Sequence, residues 1–215
     1  MKTKLSFMLI CFLLFVFAIF HWGITKAATP LDITDTTYGY ASQDAYAQSG
    51  FPNSAAGGTR NVYLGYDTIY NKYRTRVYEQ FNLPTLPPGA QIDSAYVEIY
   101  QYVTECSSDY GVTVYEVTSD WNELTLTWNS QPGTGAPVGS ATISCSNGWK
   151  SIDITNMVRS WYQGTPNRGV TIWANNEYAP GGIYWAKECS ASQCPGQEHP
   201  RLAVNYSIPT PPTPP

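Results

Sequence analysis

The stretch Ile92-Asp93-Ser94-Ala95-Tyr96-Val97-Glu98-Ile99-Tyr100-Gln101-Tyr102-Val103 decides the fold class. Ala95, Val97, Ile99 and Val103 fall on one face, and Ser94, Tyr96, Glu98, Tyr100 and Tyr102 on the other. Successive side chains of a strand point to opposite faces, so this period of two predicts a half-buried β-strand. The first set is expected to be buried. The second faces solvent or a covering loop.

Outward from this strand, short β segments alternate with turn residues. Strands are predicted at Val62–Tyr66, Thr75–Phe81, Val112–Thr118, Val138–Ser144, Trp149–Asp153, Val170–Ala174, Ile183–Lys187 and Arg201–Tyr206. In the last, Leu202, Val204 and Tyr206 point inward together. One helix is predicted: Thr155 caps it, Met157, Val158 and Trp161 form its apolar face, and Gly164 ends it. Of 215 residues, 14% are aromatic and 13% charged, and 17 are tyrosines. That composition, with abundant Gly and Pro, belongs to β proteins. The expected fold is all-β, a two-sheet jelly-roll-type β-sandwich with one short helix.

The N-terminus predicts export. Lys2 and Lys4 precede an apolar run from Leu5 to Phe20, and Thr25, Ala27 and Ala28 supply small residues. This order is that of a secretory signal peptide, residues 1–27, cleaved after Ala27. The alternative is a retained anchor, but about 16 apolar residues fall short of the roughly 18–20 that span a bilayer. No membrane span is therefore expected after cleavage. Loss of Lys2, Lys4 and Lys26 leaves nine basic side chains against sixteen acidic ones. So acidic a chain is not expected to bind nucleic acid, which needs a basic surface to release counterions.

Cys11 leaves with the leader. Cys106, Cys145, Cys189 and Cys194 remain, an even set in an exported chain, so disulfides are expected. Of three connectivities, the preferred one joins Cys106 to Cys145 and Cys189 to Cys194. A zinc site is disfavoured, since Cys-x₄-Cys here has no second pair and little histidine to complete it. Residues 28–37 read as a lead-in, 38–207 as the sandwich, and 208–215, Ile-Pro-Thr-Pro-Pro-Thr-Pro-Pro, as a Pro/Thr-rich linker or tail able to tether a neighbouring domain.

With the strands placed, motifs appear in a fixed order. They are Asp44-Ala45-Tyr46, then Arg76-Val77-Tyr78-Glu79-Gln80-Phe81, then Pro87-Pro88-Gly89-Ala90. The most specific is Trp121-Asn122-Glu123-Leu124-Thr125-Leu126-Thr127-Trp128-Asn129-Ser130-Gln131-Pro132. Asp153-Ile154-Thr155, Trp161 and Gly164 follow, and Glu188 with Pro200-Arg201-Leu202 closes the series. In these residues, from about 42 to 207, the chain resembles the DNRLRE-type domains grouped with carbohydrate-binding module family 96. The resemblance implies a β-sandwich in secreted or surface proteins, often beside other domains, and a uronate-containing polysaccharide of the alginate kind as ligand. Where the family usually has an apolar residue, this chain has Glu79, in phase with Val77 and Phe81. A buried carboxylate there needs a partner, unless a bulge turns it outward.

Candidate sites follow from side-chain chemistry. Trp121, Glu123 and Trp128 read as structural, plugging a sandwich end, with Glu123 accepting backbone N–H bonds. Trp161 reads as core. Arg76, Glu188 and Arg201 read either as a sugar-binding charge cluster or as internal salt bridges. The candidate carbohydrate surface is a face formed by Tyr96, Tyr100, Tyr102 and Trp173, rimmed by Arg60, Lys72, Arg74 or Lys187. Sugar C–H faces pack on aromatic planes while hydroxyls reach polar neighbours. The alternative is that loops cover this face. Structural calcium is a further expectation, with Asp35, Asp44, Asn53 and Asp67 as oxygen donors.

Catalysis has little support. His199 is the one histidine left after cleavage, and no nucleophile motif such as G-x-S-x-G is present. The preferred reading is a secreted, non-catalytic module that binds polysaccharide or mediates adhesion. The alternatives are a self-assembling surface protein and a polysaccharide-degrading enzyme.

Overall fold

The computed structural model describes residues 33–68, 73–194, 196 and 198–209. The leader, Lys72 and residues 210–215 lie outside the described residues. Within them the strands are β1 (Ile33–Gln48), β2 (Asn61–Asp67), β3 (Tyr73–Phe81), β4 (Gln91–Thr104), β5 (Tyr110–Val117), β6 (Thr134–Ile143), β7 (Gly148–Asp153), β8 (Val170–Ala174), β9 (Gly182–Trp185) and β10 (Arg201–Ile208). The helix α1 (Thr155–Tyr162) lies between β7 and β8. Every ladder between strands is antiparallel.

β4, the strand that gave the fold away, is the hub of the first sheet. β10 runs along its first half, and β9 continues on the same side beyond it. β7 takes the opposite side, since Tyr96, Val97 and Glu98 pair with both β7 and β10. The start of β1 flanks β10, and the start of β2 flanks β9. In the second sheet β3 pairs with the end of β1, then come β8, β5 and β6.

β1 and β2 belong to both sheets and turn the corners between them. β1 leaves β10 after Tyr40 and joins β3 from Ala41, with a register shift between Ala41 and Gln43. β2 leaves β9 after Leu64 and joins β3 at Gly65. Gly65 has φ 99°, and a Cβ there would meet Ala179 and Gly181 backbone at 3.2 Å. A bulge at one corner and a glycine at the other let each strand switch sheets.

The main core lies between the sheets, where Val97, Ile99, Ile172, Leu202 and Val204 meet Met157, Val158 and Trp161 of α1. In β4 the buried set is Ala95, Val97, Ile99 and Gln101, whereas Val103 is only half-buried. A register shift between Gln101 and Val103 breaks the phase there. The fully buried Gln101 takes a hydrogen bond from Tyr184.

Four local expectations change. β1 begins at Ile33 rather than Tyr38, so residues 33–37 of the expected lead-in pair with β10. β9 ends at Trp185, not Lys187. Thr155 is the first helical residue, not the cap: Asp153 Oδ1 accepts its N–H at 2.8 Å and its hydroxyl at 2.7 Å. The Trp121–Pro132 block does not plug a sandwich end. Leu126 packs with Ala45, Ala47, Tyr78 and Val117 in a second cluster, against which Trp121 and Trp128 lie. The block therefore covers the outside of the second sheet, where the small Ala45 and Ala47 leave room for it.

Cys106 is joined to Cys145, and Cys189 to Cys194. Among the described residues no helix is long and apolar enough to cross a membrane.

Candidate functional site

The pleat of β4 aims Tyr96, Glu98, Tyr100 and Tyr102 away from the core, and all four are half-buried. Neighbouring strands add to this outward face by register. Trp149 on β7 stands opposite Tyr100, the rings 5.4 Å apart and nearly perpendicular. Arg201 on β10 stands opposite Glu98 and donates from Nε to Oε2 at 2.7 Å. Ser151 donates to the other Glu98 oxygen at 3.1 Å. The Arg201 guanidinium lies 4.1 Å from the Trp149 ring centre and 4.3 Å from that of Tyr38. Tyr40, paired with Arg201 across β1 and β10, is 54% exposed. At the far end Tyr102 stacks on Trp185 of β9, centroids 3.5 Å apart and planes 1° off parallel. Asn61 donates to the Tyr102 hydroxyl at 3.1 Å.

Trp173 and Arg74 are elsewhere. They sit on strands of the second sheet, whose outward side faces the opposite way. Arg76 lies 3.6 Å over Trp173, donates to both Glu177 oxygens at 2.6 and 3.1 Å, and donates to Gln131 Oε1 at 3.1 Å. Arg74 sits between Trp128 and Tyr178, at 5.0 and 5.3 Å, with Glu177 at 3.7 Å. The single surface expected from the sequence is thus two surfaces on opposite sides of the sandwich. Arg76, Glu188 and Arg201 likewise form no single cluster, because each pairs locally, with Glu177, Lys187 and Glu98.

Lys187 belongs to a third place, a carboxylate centre. Asp44 on β1 and Glu79 on β3 are cross-strand partners pointing inward, and both are buried. Glu79 is neither turned outward by a bulge nor hydrogen-bonded: neither oxygen has a hydrogen-bond partner among the described residues. Glu123 reaches in from the tryptophan block. One of its oxygens accepts the Asp44 N–H at 3.0 Å and the other accepts Lys187 Nζ at 2.9 Å. Lys187 also donates from its backbone N–H to Asp44 Oδ2 at 2.5 Å, and from Nζ to Glu188. Carboxylate oxygens of Asp44, Glu123 and Glu188 lie within 4.8 Å of one another.

The electrostatics follow from this crowding. Burial, with the Glu188 carboxylate adding to it against the Lys187 N–H, pushes Asp44 up to about 8. Burial first, then Asp44 and Glu188, raise Glu79 well above the usual range. Burial pulls Lys187 down, but hydrogen bonds to Glu188 and Glu123 outweigh it and hold the ammonium above the ordinary lysine value. Of the acidic and amide residues expected to hold calcium, only Asp44 is here. Asn53 accepts a hydrogen bond from Asn129, Asp35 caps the Thr36 N–H, and Asp67 lies beside Glu105.

Tyr38, Tyr40, Trp149 and Trp185 were not anticipated on the outward face of the first sheet. Trp149 was readable in hindsight, as the outward-phase residue of a predicted strand. Its position beside Tyr100 depends on pairing between strands.

A β-sandwich hosts many functions, so the fold alone does not name the class. The chain belongs to carbohydrate-binding module family 96, which matches residues 35–194. Among curated proteins it is similar to the tRNA nuclease WapA of Bacillus subtilis strain 168, 25% identical over 195 residues. It is equally similar, at 25% over 195 residues, to the tRNA3(Ser)-specific nuclease WapA of Bacillus spizizenii. Each match covers 86% of this chain and 8% of the relative, so the chain spans a small part of their length.

Proposed function

We propose that the chain is an exported, non-catalytic module that holds a polysaccharide across the outward face of the first sheet. The observation that carries this reading is the aromatic row from Tyr38 and Tyr40 through Trp149 and Tyr100 to Tyr102 and Trp185, with Arg201 clamped between two of its rings. Such rings offer flat faces to sugar C–H groups, and Glu98, Ser151 and the tyrosine hydroxyls sit where sugar hydroxyls would fall. The charges here cancel, since Glu98 and Arg201 pair with each other. That favours a chain of low charge over a polyuronate.

Export is supported by the leader pattern and by the two disulfides. The acidic composition argues against nucleic acid as the ligand.

A second reading, a uronate-containing ligand, is favoured by one observation. Arg74 lies between Trp128 and Tyr178, 31% exposed, with only a 3.7 Å contact to Glu177. A sugar carboxylate would find an aromatic-backed guanidinium there.

Affinity electrophoresis against neutral and uronate polysaccharides tests both. The first reading expects retardation by a neutral polymer that Trp149→Ala and Tyr40→Ala abolish and Arg74→Ala leaves intact. Retardation by no polymer sinks polysaccharide binding altogether. Ordered oligomers in size-exclusion chromatography that ignore every glycan would support self-assembly instead.

A further inference from the structure

The carboxylate centre is unbalanced. Asp44, Glu79, Glu123 and Glu188 come together from β1, β3, the tryptophan block and the segment after β9, while the Lys187 ammonium reaches only Glu123 and Glu188. Lys187 Nζ contacts Glu123 and Glu188, but Glu79 is left with two buried oxygens that accept no hydrogen bond from any described residue. One Glu188 oxygen is in the same state. A buried carboxyl without partners costs free energy, and this one stands in a position that an apolar residue would fill without that cost.

An ammonium is a point charge with three donors and cannot serve four carboxylates. A hard divalent cation can. Calcium takes six to eight oxygens at about 2.3–2.6 Å, so its ligand oxygens lie up to about 5 Å apart. The mutual 4.8 Å limit among the Asp44, Glu123 and Glu188 oxygens fits that spacing. Glu79, the buried neighbour across the ladder from Asp44, stands outside that mutual spacing and joins the ligands by turning its unpartnered carboxyl toward the ion. Lys187 has a flexible stem and is part-exposed, so its ammonium can leave for solvent when a cation enters.

We propose that Asp44, Glu79, Glu123 and Glu188 form a binding site for a hard divalent cation of the calcium class, which takes the place of the Lys187 ammonium. The ion fastens β1 to β3 and ties both to the tryptophan block and to the chain leaving β9. It is distinct from the aromatic face and independent of what that face binds.

The test uses the purified chain stripped with a chelator, then titrated with calcium chloride by calorimetry and followed by thermal melting, with magnesium chloride for comparison. The expected result is saturable calcium binding and a melting temperature raised by about 5–10 °C at a hundredfold excess over Kd. Glu79→Gln and the part-buried Glu123→Gln each weaken binding at least about tenfold, because ligand charge sets affinity in such sites. Lys187→Met, which removes the competing cation, binds calcium as tightly as the unaltered chain or more so. No heat and no melting shift with the unaltered chain would overturn the proposal and leave Lys187 as the cation of the centre. A calcium response that survives in both Gln variants would overturn it equally.

Discussion

Arg201 and Glu98, paired at 2.7 Å across β10 and β4, hold a guanidinium 4.3 Å from the ring centre of Tyr38 and 4.1 Å from that of Trp149. Arg201→Met is expected to cost about 1–3 kcal/mol, since it strands a part-buried carboxylate and removes two ring contacts. Arg201→Lys keeps the charge but loses the planar plate, so it should recover stability in part and glycan retardation little. Urea midpoints and affinity gels on both variants check this. Full binding by Arg201→Met would remove the pair from the site.

The stacked rings of Tyr102 and Trp185 should be coupled. A double-mutant cycle with Tyr102→Ala and Trp185→Ala is expected to give an interaction of about 0.5–1.5 kcal/mol. Additive losses would mean that the stack contributes area alone.

The disulfides should differ in weight. Cys106 and Cys145 are 39 residues apart, Cys189 and Cys194 only five. By loop-closure entropy the first bridge stabilises by about 4 kcal/mol and the second by about 2. Paired Cys→Ser replacements, compared by denaturant midpoint, measure the difference. A larger loss from the short loop would contradict the entropic account.

Alkali should weaken the fold over a defined window. Burial raises Tyr46, Tyr78 and Tyr110 from 10.0 to about 12. These hydroxyls keep their protons in the folded chain while the unfolded chain loses them. Their contribution is therefore fully present below pH 10 and lost as pH rises through about 12. Melting temperatures measured from pH 8 upward should fall across that window, and Tyr110→Phe should soften the fall. A flat profile to pH 12 would count against the burial of these groups.

Much of the sandwich was legible because its strands alternate. β4 shows this best, for its inward Ala95, Val97 and Ile99 are small or β-branched and its outward tyrosines are large. β1, the longest strand, left no such trace: it points Asp44, Tyr46 and Gln48 inward and Ala45 and Ala47 outward, so hydropathy along it has no clean period. Glu79 could be placed in phase with Val77 and Phe81, but its meeting with Asp44 rests on pairing with a strand that hydropathy hides. The candidate surface divided in two for a related reason. Tyr100 and Trp173 both point outward, yet which side of the molecule that means depends on sheet membership, a long-range property that no local pattern encodes.

The corner-turning β1 has one more consequence, for how the domain bears load. Ile33 is the rung partner of Ile208, so the first and last strands of the described fold end side by side on one rim. Tension applied through the two flanks would open the β1–β10 ladder like a zipper, each rung loaded in turn, down to the corner at Ala41. Beyond it β1 lies along β3, and the pull meets a ladder in another sheet.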